Sequence, residues 1–199
     1  MQGGGDGCTP NHELTARARA NLDGFWWLAV GVTLVTQLIM QFVGGVIPFV
    51  GMIAIIIVAG PFNLGLAMFF LSVVRRQQPS FGMMFEGFRN FGTSLAASLL
   101  MSLFVLGWLL LLIIPGYIAL ISYSMTYFII ADNPDIGPLE AIRTSKAMMR
   151  GKKWKYFCLM CRFIVWGLLC LLTCGIGFLW LQPYMMASSA EFYDDLKKV

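Results

Sequence analysis

Three long stretches of this chain contain no charged side chain. No Asp, Glu, Lys or Arg occurs from Gly24 to Val74, from Asn90 to Ala131, or from Phe163 to Ala190. One hydrocarbon crossing takes about 20 helical residues, so each of the first two runs suffices for two crossings. The third suffices for one crossing or two short ones, and adding the segment from Lys155 makes it long enough for two if Arg162 is tolerated. Only 12% of the residues are charged, against about 25% in an ordinary soluble domain. The chain therefore reads as all-α and polytopic, with about six transmembrane helices arranged as three hairpins. A helix buried in a soluble core would have charged loops close by.

The joints follow from local chemistry. Phe25 to Trp27 form an aromatic anchor at an interface. Gly44-Gly45 with Pro48, Pro115-Gly116 and the Thr173 to Gly177 stretch read as tight uncharged turns. The expected spans are 25–43, 46–74, 93–114, 117–131, 154–173 and 176–190. Short interfacial amphipathic helices are expected on the cytoplasmic side at 12–22, 80–90 and 138–150. In the second of these, Phe81, Met84, Phe85 and Phe88 fall at helical spacing. Residues 12–199 form a single domain after a flexible, Gly-rich tail at 1–11. No short apolar segment with a small-residue cleavage site precedes the first span, which is expected to persist.

The basic residues sort to one side of this scheme. Arg17, Arg19, Arg75, Arg76, Arg89, the Arg143 to Lys155 cluster, Arg162, Lys197 and Lys198 make up the 14 Lys and Arg, and the three turns carry none. The positive-inside rule then puts both termini in the cytoplasm. A net charge of +4 distributed in this way points to a membrane surface, not to nucleic acid. Pro138 and Glu140 mark a helix start. On that helix Arg143, Lys146 and Arg150 form one stripe, opposite Ala141, Ile142, Ser145, Met148 and Met149. With Lys152 and Lys153 beyond Gly151, this face is suited to anionic headgroups.

Few polar groups lie inside the spans, and each has a plain structural reading. Arg162 can snorkel to the headgroups, pair with Glu191 or Asp132, or touch a ligand. Asp132 also suits a cap or turn. Asn63 can bond a carbonyl freed by a kink at Pro61, or line a polar cavity. Pro183, in Gln182-Pro183-Tyr184, is a second candidate break, and paired broken helices occur in transporters. Proline is also common in membrane helices. Cys158, Cys161, Cys170 and Cys174 are too far apart along one helix to hold a single ion, and read as packing residues. His12 is the sole imidazole. No catalytic residue, metal site or cofactor is assigned. The stretches Gln78 to Arg89 and Asn133 to Arg143 align Pro79 with Pro134 and Gly82 with Gly137, a weak sign of an internal repeat.

The stretch "IIPGYIALISYSMTYFIIADNPDIGPLEAIRTSKAMMRGKKWKYFCL" resembles the bacterial membrane proteins of domain-of-unknown-function family 975. The resemblance runs through Ile114-Pro115-Gly116, Tyr123-Ser124-Met125, Ala131 to Pro134, Ser145, Met149, Gly151 and Lys153-Trp154. It resumes at Trp166, Leu172-Thr173, Gly175 to Gly177, Pro183-Tyr184, Ala190 and Phe192-Tyr193. The upstream "GPFNLG" and "FEGF" also fit. Cys161 and Cys174 depart from it, which argues against a general role for thiols. The resemblance implies a multi-pass protein of the bacterial inner membrane and supplies no activity. Two functions remain: a scaffold or accessory protein binding anionic lipid, another membrane protein or a second copy of itself; or a small transporter or lipid-handling protein with an intramembrane cavity. An interfacial enzyme is a weaker third reading and would need Asp132 and Asp135 facing a cleft.

Overall fold

The computed structural model describes residues 9–45, 48–111, 113–172 and 177–198. These residues form ten helices: α1 (Asn11–Leu22), α2 (Trp26–Gly45), α3 (Pro48–Val74), α4 (Met83–Glu86), α5 (Phe91–Leu111), α6 (Ile113–Tyr123), α7 (Thr126–Asp132), α8 (Pro138–Met148), α9 (Lys153–Leu172) and α10 (Phe178–Lys197). Three are long and apolar enough to cross a membrane: Trp26–Gly45, Ile57–Val74 within α3, and Phe91–Trp108 within α5. Most of the tail at 1–11 and the turn at 173–176 lie outside the described residues.

Helix α3 is the centre of the fold. In its apolar stretch 72% of residues are buried, against 22% in α2 and 17% in α5. It packs against α1, α2, α4, α5, α7 and α10, and Leu64, Phe69 and Phe70 are wholly buried. The outer helices instead expose large apolar side chains, including Trp27, Phe42, Leu103, Leu106, Trp166 and Leu168. Lipid tails are as apolar as leucine, so helices in such a setting associate through close packing of small residues. Gly60 provides one such contact, since a Cβ there would lie 2.6 Å from the Ser94 carbonyl oxygen of α5.

Glycine does the same on another face of α3, and this alters the expected helix at 80–90. Only Met83–Glu86 is helical there, one turn flanked by bends. A Cβ on Gly65 would meet the Met84 carbonyl oxygen at 2.1 Å, and one on Gly87 would meet the Pro61 carbonyl oxygen at 2.0 Å. The segment is thus pressed backbone to backbone onto α3. Met84 is buried, and Phe85 and Phe88 stand edge-on to Phe62 at 6.0 and 5.1 Å. The "GPFNLG" and "FEGF" motifs are each other's packing partners.

Pro61 and Pro183 lie inside α3 and α10, which continue past them. Pro115 and Gly116 belong to the opening of α6, and residue 112 before it lies outside the described residues. The interruption within the expected fourth span is at Ser124-Met125, between α6 and α7. Hydroxyls bond carbonyls around it: Ser124 donates to Ile121 at 2.8 Å, Thr126 to Tyr123 at 2.8 Å, and Ser145 of α8 to Ser122 at 2.8 Å. Helix α1 packs on α10, its Thr15 carbonyl accepting from the Tyr184 hydroxyl at 3.2 Å. Ahead of it the Thr9 amide donates to Asp195 at 2.8 Å.

Candidate functional site

The carboxyl-terminal end of α3 is shaped by a tight turn. The Arg76 amide donates to Val73 at 3.1 Å and the Gln77 amide to Ser72 at 2.9 Å, the paired bonds of a Schellman motif. Arg76 occupies the left-handed position at φ 53°, where glycine is usual. The turn holds Arg75 at the rim of the bundle. Its Nη1 and Nη2 donate to the two carboxylate oxygens of Asp132 at 2.6 and 2.9 Å. Its Nε and Nη2 also reach Asp194, at 3.2 and 2.8 Å.

Asp132 Oδ2 accepts two more bonds, from the Tyr193 hydroxyl at 3.0 Å and from Lys197 Nζ at 2.7 Å. One carboxylate therefore joins the ends of α3, α7 and α10. Burial pushes the Asp132 carboxyl up, but hydrogen bonds from Arg75, Lys197 and Tyr193, with the Arg75 charge, outweigh it and hold it at about 2. Those bonds to Asp132 and Asp194 keep the Arg75 guanidinium above its ordinary value. A carboxylate so far below neutrality is a weak general base, so the cluster works as a clasp. A cavity of about 410 Å³ opens beside it, lined by Ser72, Arg75, Gln77, Glu86, Arg89 and Asp132 among others.

Arg162 takes no part in this cluster. It is exposed on α9, off the Tyr156, Leu159 and Phe163 face that packs inward. Asp132 is occupied as described. Glu191 instead accepts from Asn21 Nδ2 of α1. Of the readings open to Arg162, a pairing with Glu191 or Asp132 is not seen among the described residues, where both carboxylates are held by other donors. Burial raises the Glu191 carboxyl, the Asn21 hydrogen bond lowers it, and the Asp194 charge adds to the rise, which prevails. Asn21 Nδ2 also reaches the Val74 carbonyl at 3.3 Å, and Asn21 Oδ1 accepts from Arg76 at 3.0 Å. Asp135 is exposed.

Helix α8 carries the basic stripe. Arg143, Lys146 and Arg150 are exposed, whereas Ala141, Ile142, Ser145 and Met149 are buried against α5, α6 and α7. Lys152 and Lys153 are half-buried at the entry to α9.

Asn63 lines a separate cavity of about 270 Å³ with Ser124, Tyr127, Tyr156 and Ser189. The Tyr127 hydroxyl faces Asn63 and Ser98. Cys158 is exposed on α9, while Cys161 and Cys170 are half-buried.

Sequence reasoning singled out Asp132, Glu191 and Asn63 but assigned no site role to Arg75, Asp194, Lys197 or Asn21. Their pairings cross the whole chain and leave no local spacing to find. No curated protein and no solved structure matches the chain. The family model described as "Protein of unknown function (DUF975)" matches residues 1–122 and 103–199, and the chain belongs to that family.

Proposed function

We propose that this is a multi-pass protein of the bacterial inner membrane, with both termini cytoplasmic, that acts as a scaffold or accessory protein and engages anionic lipid through α8. The observation that carries the reading is the split of α8 into an exposed basic face and a buried apolar one. In the sequence no acid occurs between Glu140 and Glu191, a stretch that holds Arg143, Lys146, Arg150, Lys152, Lys153 and Lys155; of these, Lys155 lies 3.7 Å from Asp195. The apolar belt on α2, α5 and α9 supports membrane embedding, since patches of this extent are rare on soluble monomers. Six spans in three hairpins suit the contacts between chain-distant ends: Arg75 with Asp132 and Asp194, Asn21 with Glu191, Asn90 with the Pro134 carbonyl, and Asn11 with the Lys155 carbonyl. These contacts gather the basic joints at one end of the bundle.

The test is lipid selectivity of the full chain in nanodiscs that mix phosphatidylglycerol with phosphatidylcholine. Each basic residue near an anionic surface contributes about 1 kcal/mol. The triple variant R143Q/K146Q/R150Q is therefore expected to lower retention of phosphatidylglycerol by roughly a hundredfold at low salt. Equal retention of the two lipids by the unaltered protein would end the reading. The Asn63 cavity favours a second reading, an intramembrane ligand site.

A further inference from the structure

The cavity at Asn63 does not stand alone. A second cavity, of about 230 Å³, adjoins it and shares Ser124, Tyr156 and Met160. Both lie at the Ser124-Met125 interruption between α6 and α7. Irregular backbone at membrane depth is tolerated where it is buried in protein or lines a cavity, and here its carbonyls are already taken up by hydroxyls.

The polar groups of the first cavity are one amide and four hydroxyls, from Asn63, Ser124, Tyr127, Tyr156 and Ser189. They fall into two neighbouring groups. The Tyr127 hydroxyl faces Asn63 and Ser98. The Tyr156 hydroxyl faces Ser124 and lies 3.4 Å from the Ser189 hydroxyl. Each hydroxyl both donates and accepts, so a hydroxyl from a ligand can insert without stranding a partner. No charged side chain lines either cavity among the described residues. A phosphate brought here would lose its water and gain no counter-charge.

The rest of the lining is apolar and adaptable. Met160, Met185 and Met186 border the first cavity, and methionine reshapes easily around a guest. The second cavity leads out between α6 and α9 over Tyr117, Leu120 and Phe157, the first two exposed. At 1.5 Å per helical residue, Ser189 lies about 8 Å and Asn63 about 18 Å from the charged ends at Asp194 and Arg75. That depth is below the zone of phosphates in a hydrocarbon core about 30 Å thick.

The geometry points to a lateral binding site, at the interruption between α6 and α7, for an uncharged amphiphile with a small hydroxyl-bearing head and an acyl tail, of the acylglycerol class. The head sits among Asn63, Tyr127 and Tyr156, and the tail leaves between α6 and α9. The site requires a bilayer around the chain and is independent of anionic lipid binding at α8.

The experiment uses the full chain in phosphatidylcholine nanodiscs with a photoactivatable diacylglycerol. Competitors are unlabelled diacylglycerol and phosphatidate with the same tails, which differ by one phosphate. Saturable labelling of α6 and α9 peptides is expected, displaced by diacylglycerol and at least fivefold less well by phosphatidate. Tyr127→Phe and Asn63→Leu are each expected to weaken displacement by about fivefold, the effect of one lost hydrogen bond. The competition on the unaltered protein decides the matter even where a variant does not fold. Equal displacement by phosphatidate, non-saturable labelling, or labelling confined to other helices would overturn the proposal. Loss of phosphatidylglycerol selectivity at α8 would leave it untouched.

Discussion

At the scale of single residues, two carboxylates at the same end of the bundle are pulled in opposite directions. Asp132 is lowered to about 2, so its contribution is complete above the ordinary carboxylate range and is lost as pH falls through about 2. Asp132→Ala removes four accepted bonds from Arg75, Tyr193 and Lys197 and leaves Arg75 only Asp194. The expected cost is about 3 kcal/mol, read as a lower melting temperature of the purified protein at pH 7. Glu191 has the reverse sign. Its raised carboxyl binds a proton more tightly in the folded chain, so stability falls as pH rises from the ordinary carboxylate value through the raised one. Glu191→Gln keeps an oxygen for Asn21 and removes the charge facing Asp194. Its melting temperature is expected to exceed that of the unaltered protein at pH 7 and to equal it at pH 4. A lower melting temperature at pH 7 would show that the Glu191 charge is stabilising.

At the scale of elements, two opposing effects meet in the glycines of α3. Helix propensity favours alanine over an interior glycine by about 1 kcal/mol. The Cβ of Gly65→Ala, however, would lie 2.1 Å from a backbone oxygen, which no rotamer change relieves. Packing should win, with a loss of about 3 kcal/mol or of folded protein altogether. Gly31→Ala in α2 meets nothing within 4 Å and should be neutral or stabilising in the same thermal assay. A Gly65→Ala protein as stable as the parent would mean that α4 is not pressed onto α3. The sequence made the long apolar helices legible, because charge-free runs of 20 or more residues have few other uses. It also made α8 legible, through Pro138, Glu140 and the basic stripe. It did not reveal that α4 is a single turn, since the Phe81 to Phe88 spacing fits a helix as well as it fits a packed loop. The interruption at Ser124-Met125 carries neither proline nor glycine, and the hydroxyl-to-carbonyl bonds that accommodate it include one from Ser145 on another helix. The Arg75 clasp was hidden because its three acidic and basic partners come from α7 and α10.

At the scale of the molecule, these features share one logic. A bundle with so much exposed apolar surface can order its helices only by close packing and by polar contacts at its ends. Small residues provide the first along α3. The second is concentrated at one end, where Asp132, Asp194, Asn21 and Arg75 draw together α1, α3, α7 and α10. If that end is cytoplasmic, as proposed, the amino terminus, the α8 segment and the carboxyl terminus share one side, and the α2–α3 and α9–α10 joints lie on the other. Protease added to intact spheroplasts should then spare tags at both termini. Single cysteines introduced near residues 46 and 175, in a background with the native cysteines replaced, should react with an impermeant maleimide. Cysteines at Thr144 and Lys198 should react only after the membrane is permeabilised. Labelling of Thr144→Cys in intact spheroplasts would reverse the orientation and remove the cytoplasmic anionic leaflet as the partner of α8. Labelling at 46 but not at 175 would retain the orientation and reduce the last hairpin to a re-entrant one.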